Sequence, residues 1–150
     1  MTDPANPDFR DAVLASFNKQ SAMGLIRATL PVVELGRTEI HVPHWEGIEQ
    51  QHGFVHGGVV GMIADSAAGY AAMTVVPPGA SVLTVEYKMN LMAPSDGEAI
   101  IARGEVVRPG RTLIVTRAEV YARKDGRDVL CALMQQTIMV MQGKAEGVVA

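Results

Sequence analysis

Residues 57–75 read GGVVGMIADSAAGYAAMTV. Seven small residues, Gly61, Ala64, Ala67, Ala68, Gly69, Ala71 and Ala72, make this a thin apolar helix over 57–75. Glycine inside a helix costs about 1 kcal/mol against alanine. Close approach of a neighbouring backbone is the usual reason to accept that cost. Pro77-Pro78-Gly79 then ends the helix. Asp65 is the only charge between His56 and Glu86. Aspartate is a poor helix former, so its place in mid-helix asks for a reason.

Working outward, 84–92 alternates, with Val85, Tyr87, Met89 and Leu91 on one face and Thr84, Glu86, Lys88 and Asn90 on the other. Residues 99–107, 112–122 and 129–140 read as three more strands. Pro109-Gly110 turns the chain after the first, and Asp125-Gly126 is a hairpin signal before the last. Upstream, 29–35 and 38–42 form a strand pair about Gly36-Arg37. Phe9, Val13 and Phe17 recur every fourth residue, with Leu14 beside them, and predict a short amphipathic helix in an N-terminal extension, 1–19. Strands grouped as meanders point to an α+β fold rather than βαβ units. The expected architecture is a curved antiparallel sheet of about six strands wrapped around one long central helix. No repeat of 20–50 residues is visible. The chain reads as one domain over 1–150, with 142–150 expected as a flexible tail.

Composition narrows the function classes. The chain has 150 residues, 48% apolar and 19% charged, with a mean hydropathy of +0.15. Such a chain can build one core and is not disordered. A net charge of −3 leaves no basic excess for a phosphate backbone and argues against nucleic acid as a partner. No 18-residue apolar run is present, so no membrane span is expected. Residues 1–10 lack the apolar core of a signal peptide, and the expected location is the cytoplasm. Cys131 is the single cysteine, which excludes an internal disulfide, and its place in an apolar strand reads as core. His41, His44, His52 and His56 come without an acidic ligand pattern, so no metal is expected.

The chemistry concentrates at the start of the long helix. His56-Gly57-Gly58 precedes it, where backbone N–H groups lack helical partners and the dipole is positive. Glycines at 57 and 58 let a ligand oxygen come close, which suits an oxyanion hole. Asp65 is the one ionisable side chain on the helix that can act as a base. It lies eight residues beyond Gly57, about 12 Å along the axis. One carbonyl cannot touch both groups of a single chain. Two antiparallel copies of the helix bring Asp65 of one opposite Gly57 of the other, so the spacing asks for a two-fold dimer with paired sites. The plainer readings are Asp65 as a structural pair and Gly57-Gly58 as turn chemistry.

Gly53, His56-Gly57-Gly58, Asp65, the run from Thr84 to Leu91 followed by Pro94, and Gly110-Arg111-Thr112-Leu113 together resemble the PaaI-like acyl-CoA thioesterases of the hotdog-fold superfamily. The resemblance covers roughly residues 20–141. It implies hydrolysis of an aryl- or medium-chain acyl-CoA to the carboxylate and free coenzyme A, without metal or other cofactor, in dimers or dimers of dimers (homotetramers). It implies that Asp65 is the catalytic base or nucleophile and that Gly57 donates its N–H to the thioester carbonyl. His56 matches the histidine that supports this loop. Gln50 stands where relatives often carry asparagine to orient the water or carbonyl, and Thr84 where a hydroxyl helps position water. For the coenzyme A phosphates the candidates are Arg108, Arg111, Arg123, Lys124 and Arg127 at the two hairpins, with Arg111 inside the matching motif. Two alternatives stay open: a hotdog dehydratase, and an acyl-CoA-binding module without catalysis.

Overall fold

The computed structural model describes residues 3–143. Two short helices open the chain, α1 (Phe9–Phe17) and α2 (Ser21–Leu25). They are followed by β1 (Thr29–Glu34), β2 (Arg37–Pro43), the central helix α3 (Gly57–Met73), β3 (Ser81–Leu91), β4 (Ala99–Arg108), β5 (Leu113–Lys124) and β6 (Arg127–Met141). The six strands form one antiparallel sheet in the order β1-β2-β4-β5-β6-β3. The sheet wraps α3, as the hotdog arrangement expected above requires. The short helix α2 was not anticipated, and the part of the expected tail from 144 onward lies outside the described residues. No helix among the described residues is long and apolar enough to cross a membrane.

The core forms where the inward residues of β2, β4, β5 and β6 meet α3. Ile40, Val42, Ile63, Ala64, Ala67, Ala68, Ala102, Val120 and Ala132 are fully buried there. Burying each large aliphatic side chain contributes about 1.5–3 kcal/mol. The closest approach of sheet and helix is at Gly104 of β4. A Cβ there would sit 2.3 Å from the Ala67 carbonyl carbon. Thr38 of β2 clamps the same turn by donating to the Ala67 carbonyl at 2.6 Å.

Close packing therefore falls on a strand glycine and helix alanines, not on the helix glycines to which the sequence assigned it. A Cβ on Gly69 would meet nothing within 4 Å, and one on Gly61 would make only ordinary contacts with Met89 and Tyr87. Gly57, Gly61, Asp65 and Gly69 follow one another at four-residue spacing, so they share one face of α3.

Helix α1 docks by its predicted stripe: Val13 and Phe17 are buried, whereas Leu14 is partly exposed. Phe17 packs edge-on against Tyr70 of α3, with ring centroids 5.8 Å apart. β3 forms one edge of the sheet, and Leu83, Val85, Tyr87 and Leu91 remain exposed on it.

Candidate functional site

Asp65 lies on α3 facing β3. Thr84 donates its hydroxyl to Asp65 Oδ1 at 2.7 Å. This contact depends on a register shift between Thr84 and Glu86, with Val85 as the extra residue. Even alternation had placed Thr84 with Glu86, Lys88 and Asn90. The bulge instead turns Thr84 to the helix side together with Tyr87, Met89 and Leu91, and leaves Val85 exposed.

Two further residues complete the cluster, and the sequence reading had missed both. Gln136 of β6 donates from Nε2 to Asp65 Oδ1 and, at 2.8 Å, to Thr84 Oγ1. Thr116 of β5 donates to Gln136 Oε1 at 3.1 Å. Both residues are buried. A signal existed for each. Gln136 interrupts the inward apolar row Ala132, Met134, Ile138, Val140, and Thr116 interrupts the row Ile114, Ala118, Val120. A polar residue on a buried row needs a hydrogen-bonding partner.

A cavity of about 260 Å³ opens beside this cluster. It is lined on the helix side by Asp65, Ser66, Gly69 and Tyr70, and on the strand side by Val82, Leu83 and Thr84, with Gln20 at its edge. Gln20 donates to the Tyr70 hydroxyl at 2.8 Å, and Ser16 lies 3.2 Å from the same oxygen. Gln20, in the segment joining α1 and α2, thereby contributes to the cavity wall.

The start of α3 is a second, separate location. His56 caps the helix, and its Nδ1 accepts from the Gly58 N–H at 2.8 Å. An accepting Nδ1 means that the neutral ring carries its proton on Nε2. A Cβ on Gly58 would lie 3.0 Å from this nitrogen, so the glycine permits the cap. The pairing corrects the expected role of Gly58: its N–H is spent inside the helix cap. Gly57 keeps the open donor, since none of the described residues supplies an acceptor to its N–H. Gln50 sits at this end too. Its side-chain oxygen accepts the His52 N–H, while its backbone pairs with Phe54. It is folded into its own turn, and the described partners of Asp65 are Thr84 and Gln136 instead.

The predicted residues thus fall into two groups within one chain: Asp65 with Thr84, and Gly57 with Gly58, His56 and Gln50. The basic residues divide as well. Arg108 and Arg111 are exposed at the β4–β5 hairpin. Thr84 pairs with Ile138, which pairs with Ile114, three residues from Arg111. Ile114 and Ile138 pack with Ala72 and Val76, so this hairpin lies toward the C-terminal end of α3. Arg123, Lys124 and Arg127 lie at the opposite end of β5. There Arg123 pairs with Asp128 and Lys124 with Asp96, so these two cations are already engaged.

Cys131 is buried and donates to the Val120 carbonyl, and burial pushes its thiol above the ordinary range. It is a core residue. Among the described residues no group of three or more His, Cys, Asp or Glu side chains converges as a metal site. His41 points to the outer face of β2, where it meets Glu39 at 3.3 Å, away from Asp65.

Comparison with known proteins bears on this geometry. The model of the thioesterase superfamily matches residues 52–129, the stretch that holds α3, β3, β4, β5 and the start of β6. A thioesterase family protein from Silicibacter pomeroyi, known by crystal structure, is 41% identical. It superposes with a TM-score of 0.87 over 89% of this chain and 98% of its own. The PaaI protein of E. coli, from the phenylacetic acid degradation operon, shares the fold at 15% identity, with a TM-score of 0.82 over 92% of this chain and 96% of its own. An archaeal protein named as an esterase by inference, from Saccharolobus solfataricus, is 32% identical over 95 residues. The match covers 63% of this chain and just under two thirds, 66%, of the relative's length. A 1,4-dihydroxy-2-naphthoyl-CoA hydrolase of Listeria monocytogenes is 26% identical over 108 residues, covering 72% of this chain and 85% of its own.

Proposed function

The chain belongs to the thioesterase superfamily, and from that premise we propose that it hydrolyses an acyl-CoA thioester to a carboxylate and free coenzyme A. The observation that carries this reading is Asp65: a carboxylate at a cavity wall, held by neutral donors only, on the helix whose first N–H is open. The thioester carbonyl carbon gains a bond to oxygen and loses its bond to sulfur. Its oxygen becomes negative in the transition state, which a helix-start N–H stabilises. Asp65 either takes a proton from the attacking water and passes it to the departing thiolate, or attacks the carbonyl carbon itself to form an anhydride that water then hydrolyses, the thiolate taking its proton from that water. Either way the products are the carboxylate and coenzyme A thiol.

The site needs a second copy. Within one chain Gly57 and Asp65 are eight residues apart on α3, about 12 Å along the axis. Pairing two copies along the exposed edge strand β3, about a two-fold axis, sets the helices antiparallel and brings Gly57 of one to Asp65 of the other. Two such dimers can join as a tetramer. Arg111 and Arg108, exposed on the β4–β5 hairpin, are the residues we assign to the coenzyme A phosphates. The cavity is near the lower end of ligand-pocket volumes, about 300 Å³, which suits one aromatic ring or a medium-length chain. Relatives of this chain include a hydrolase of an aryl-CoA thioester.

The test is thiol release from a panel of acyl-CoAs, with Asp65→Asn beside the wild type. Turnover that falls roughly 100-fold or more in the variant supports the reading. Tight acyl-CoA binding without turnover turns it into a binding module, and release of water from a hydroxyacyl-CoA turns it into a dehydratase.

A further inference from the structure

We propose that Gln136 is a positioning residue for Asp65, with Thr116 setting the direction of its amide, so that Oδ2 of Asp65 is the reacting oxygen. The proposal rests on the reading of Asp65 as the reacting carboxylate.

Gln136 is 1% exposed and stands between Tyr87 of β3 and Thr116 of β5 in the sheet register. Its two amide atoms could in principle be exchanged. The surroundings decide against it: with Oε1 turned toward Asp65, two oxygen acceptors would face each other in a buried place, a costly arrangement. With Nε2 there, the amide donates to Asp65 Oδ1 and to Thr84 Oγ1, and Oε1 accepts from Thr116. Thr84 then donates onward to the same Oδ1. Every polar atom of the chain Thr116, Gln136, Thr84 is used in one direction.

The consequence lies in the two oxygens of Asp65. Oδ1 carries both donors, whereas none of the described residues donates to Oδ2. One oxygen is anchored by Gln136 and Thr84, and the other is left for the cavity. Rotation of the carboxylate would exchange the two, and it is opposed by two hydrogen bonds to a charged acceptor. Gln136 does not itself line the cavity and makes no contact with Oδ2. It acts by holding Asp65 in one orientation, and misplacement of a reacting group by about 1 Å can cost about 100-fold in rate.

The experiment measures thiol release by Gln136→Met and Thr116→Val, each in the wild type and in the Asp65→Asn background, with Thr116→Ser as the conservative control. Gln136→Met keeps length and apolar packing but removes the donors. It should lower kcat roughly 10- to 100-fold with KM unchanged, and cause no further loss once Asp65 is asparagine. Thr116→Val should cause a smaller loss of the same kind, and Thr116→Ser should retain activity. Equal proportional losses in both backgrounds, or a wild-type kcat in Gln136→Met, overturn the proposal. If Gln136→Met does not fold, the two-background comparison with Thr116→Val decides by the same criterion. Wild-type turnover that does not depend on Asp65 overturns the functional reading and this proposal together. Asp65-dependent turnover indifferent to Gln136 and Thr116 overturns this proposal alone.

Discussion

Two clusters of polar side chains occupy opposite faces of one sheet. On the outer face, carboxylates are matched with cations of the same chain. Glu39 meets Arg37 at 2.5 Å and Arg103 at 3.3 Å. Asp128 receives Arg123 and Arg103, each at 2.8 Å, and Glu105 pairs with Arg117. Arg123 first, then Arg103, hold the Asp128 carboxyl below the usual range. On the inner face, Asp65 has only a hydroxyl and an amide, and no Lys, Arg or His among the described residues pairs with it. Each of these outer carboxylates has a cation of its own chain. The inner one lacks positive character that this chain cannot bring to it, because the start of its own α3 lies about 12 Å away. A substrate and a second helix start can supply what is missing, and an incomplete carboxylate at a cavity is where chemistry is to be sought.

Substitutions on the two faces should separate accordingly. The largest effect is expected from Asp65→Asn, a fall in kcat of roughly 100- to 10,000-fold without loss of fold, read by thiol release and circular dichroism. Thr84→Val removes one of the two donors to Oδ1 and should cost roughly 10-fold in kcat, whereas Thr84→Ser keeps the hydroxyl and most of the rate. Gly69→Leu fills cavity space rather than core, since nothing lies within 4 Å of its Cβ position. Its melting temperature should stay level or rise, because glycine is the poorer helix former. The panel should show kcat/KM falling for the longest acyl groups and holding for the shortest. Uniform loss across the panel would instead place coenzyme A, not the acyl group, beside Gly69.

The smallest effect belongs to the outer face. Asp128→Asn should leave turnover unchanged and lower stability slightly. The sign follows from the depressed carboxyl. Its stabilising contribution is present above the ordinary value of 3.8 and disappears as pH falls through the lower folded value. Melting curves of wild type and variant should differ at neutral pH and converge in acid.

Most of this architecture was legible because it is written in periodicity. The thin helix, its proline stop and the alternating strands are local patterns, and so is the stripe of α1. The Val85 bulge was not legible, since no residue type marks it, and missing it put Thr84 on the wrong face. The compensation for helix glycines was also misplaced. The close contact is made by Gly104, a distant residue brought in by the sheet, while Gly69 borders a cavity. Asp65 and Gly57 stood out by contrast with an apolar helix. Gly58 looked equivalent to Gly57, and only the capping geometry of His56 distinguishes them.

The central claim, that Asp65 of one copy works with Gly57 of another, is open to a complementation measurement. Gly57 is the first residue of α3, a position that accepts proline. His56 before it is already extended, at φ −59° and ψ 134°, as a residue preceding proline requires. Gly57→Pro therefore removes the donor, and a Cβ at this position meets only the flexible end of Leu91. Gly57→Pro and Asp65→Asn, each expected to be inactive alone, are co-expressed with different tags and assayed for thiol release. A shared site predicts recovery to about a quarter of wild-type activity in the statistical mixture, because half of the dimers carry both variants and each of these has one intact site. No recovery in purified mixed dimers would contradict the account.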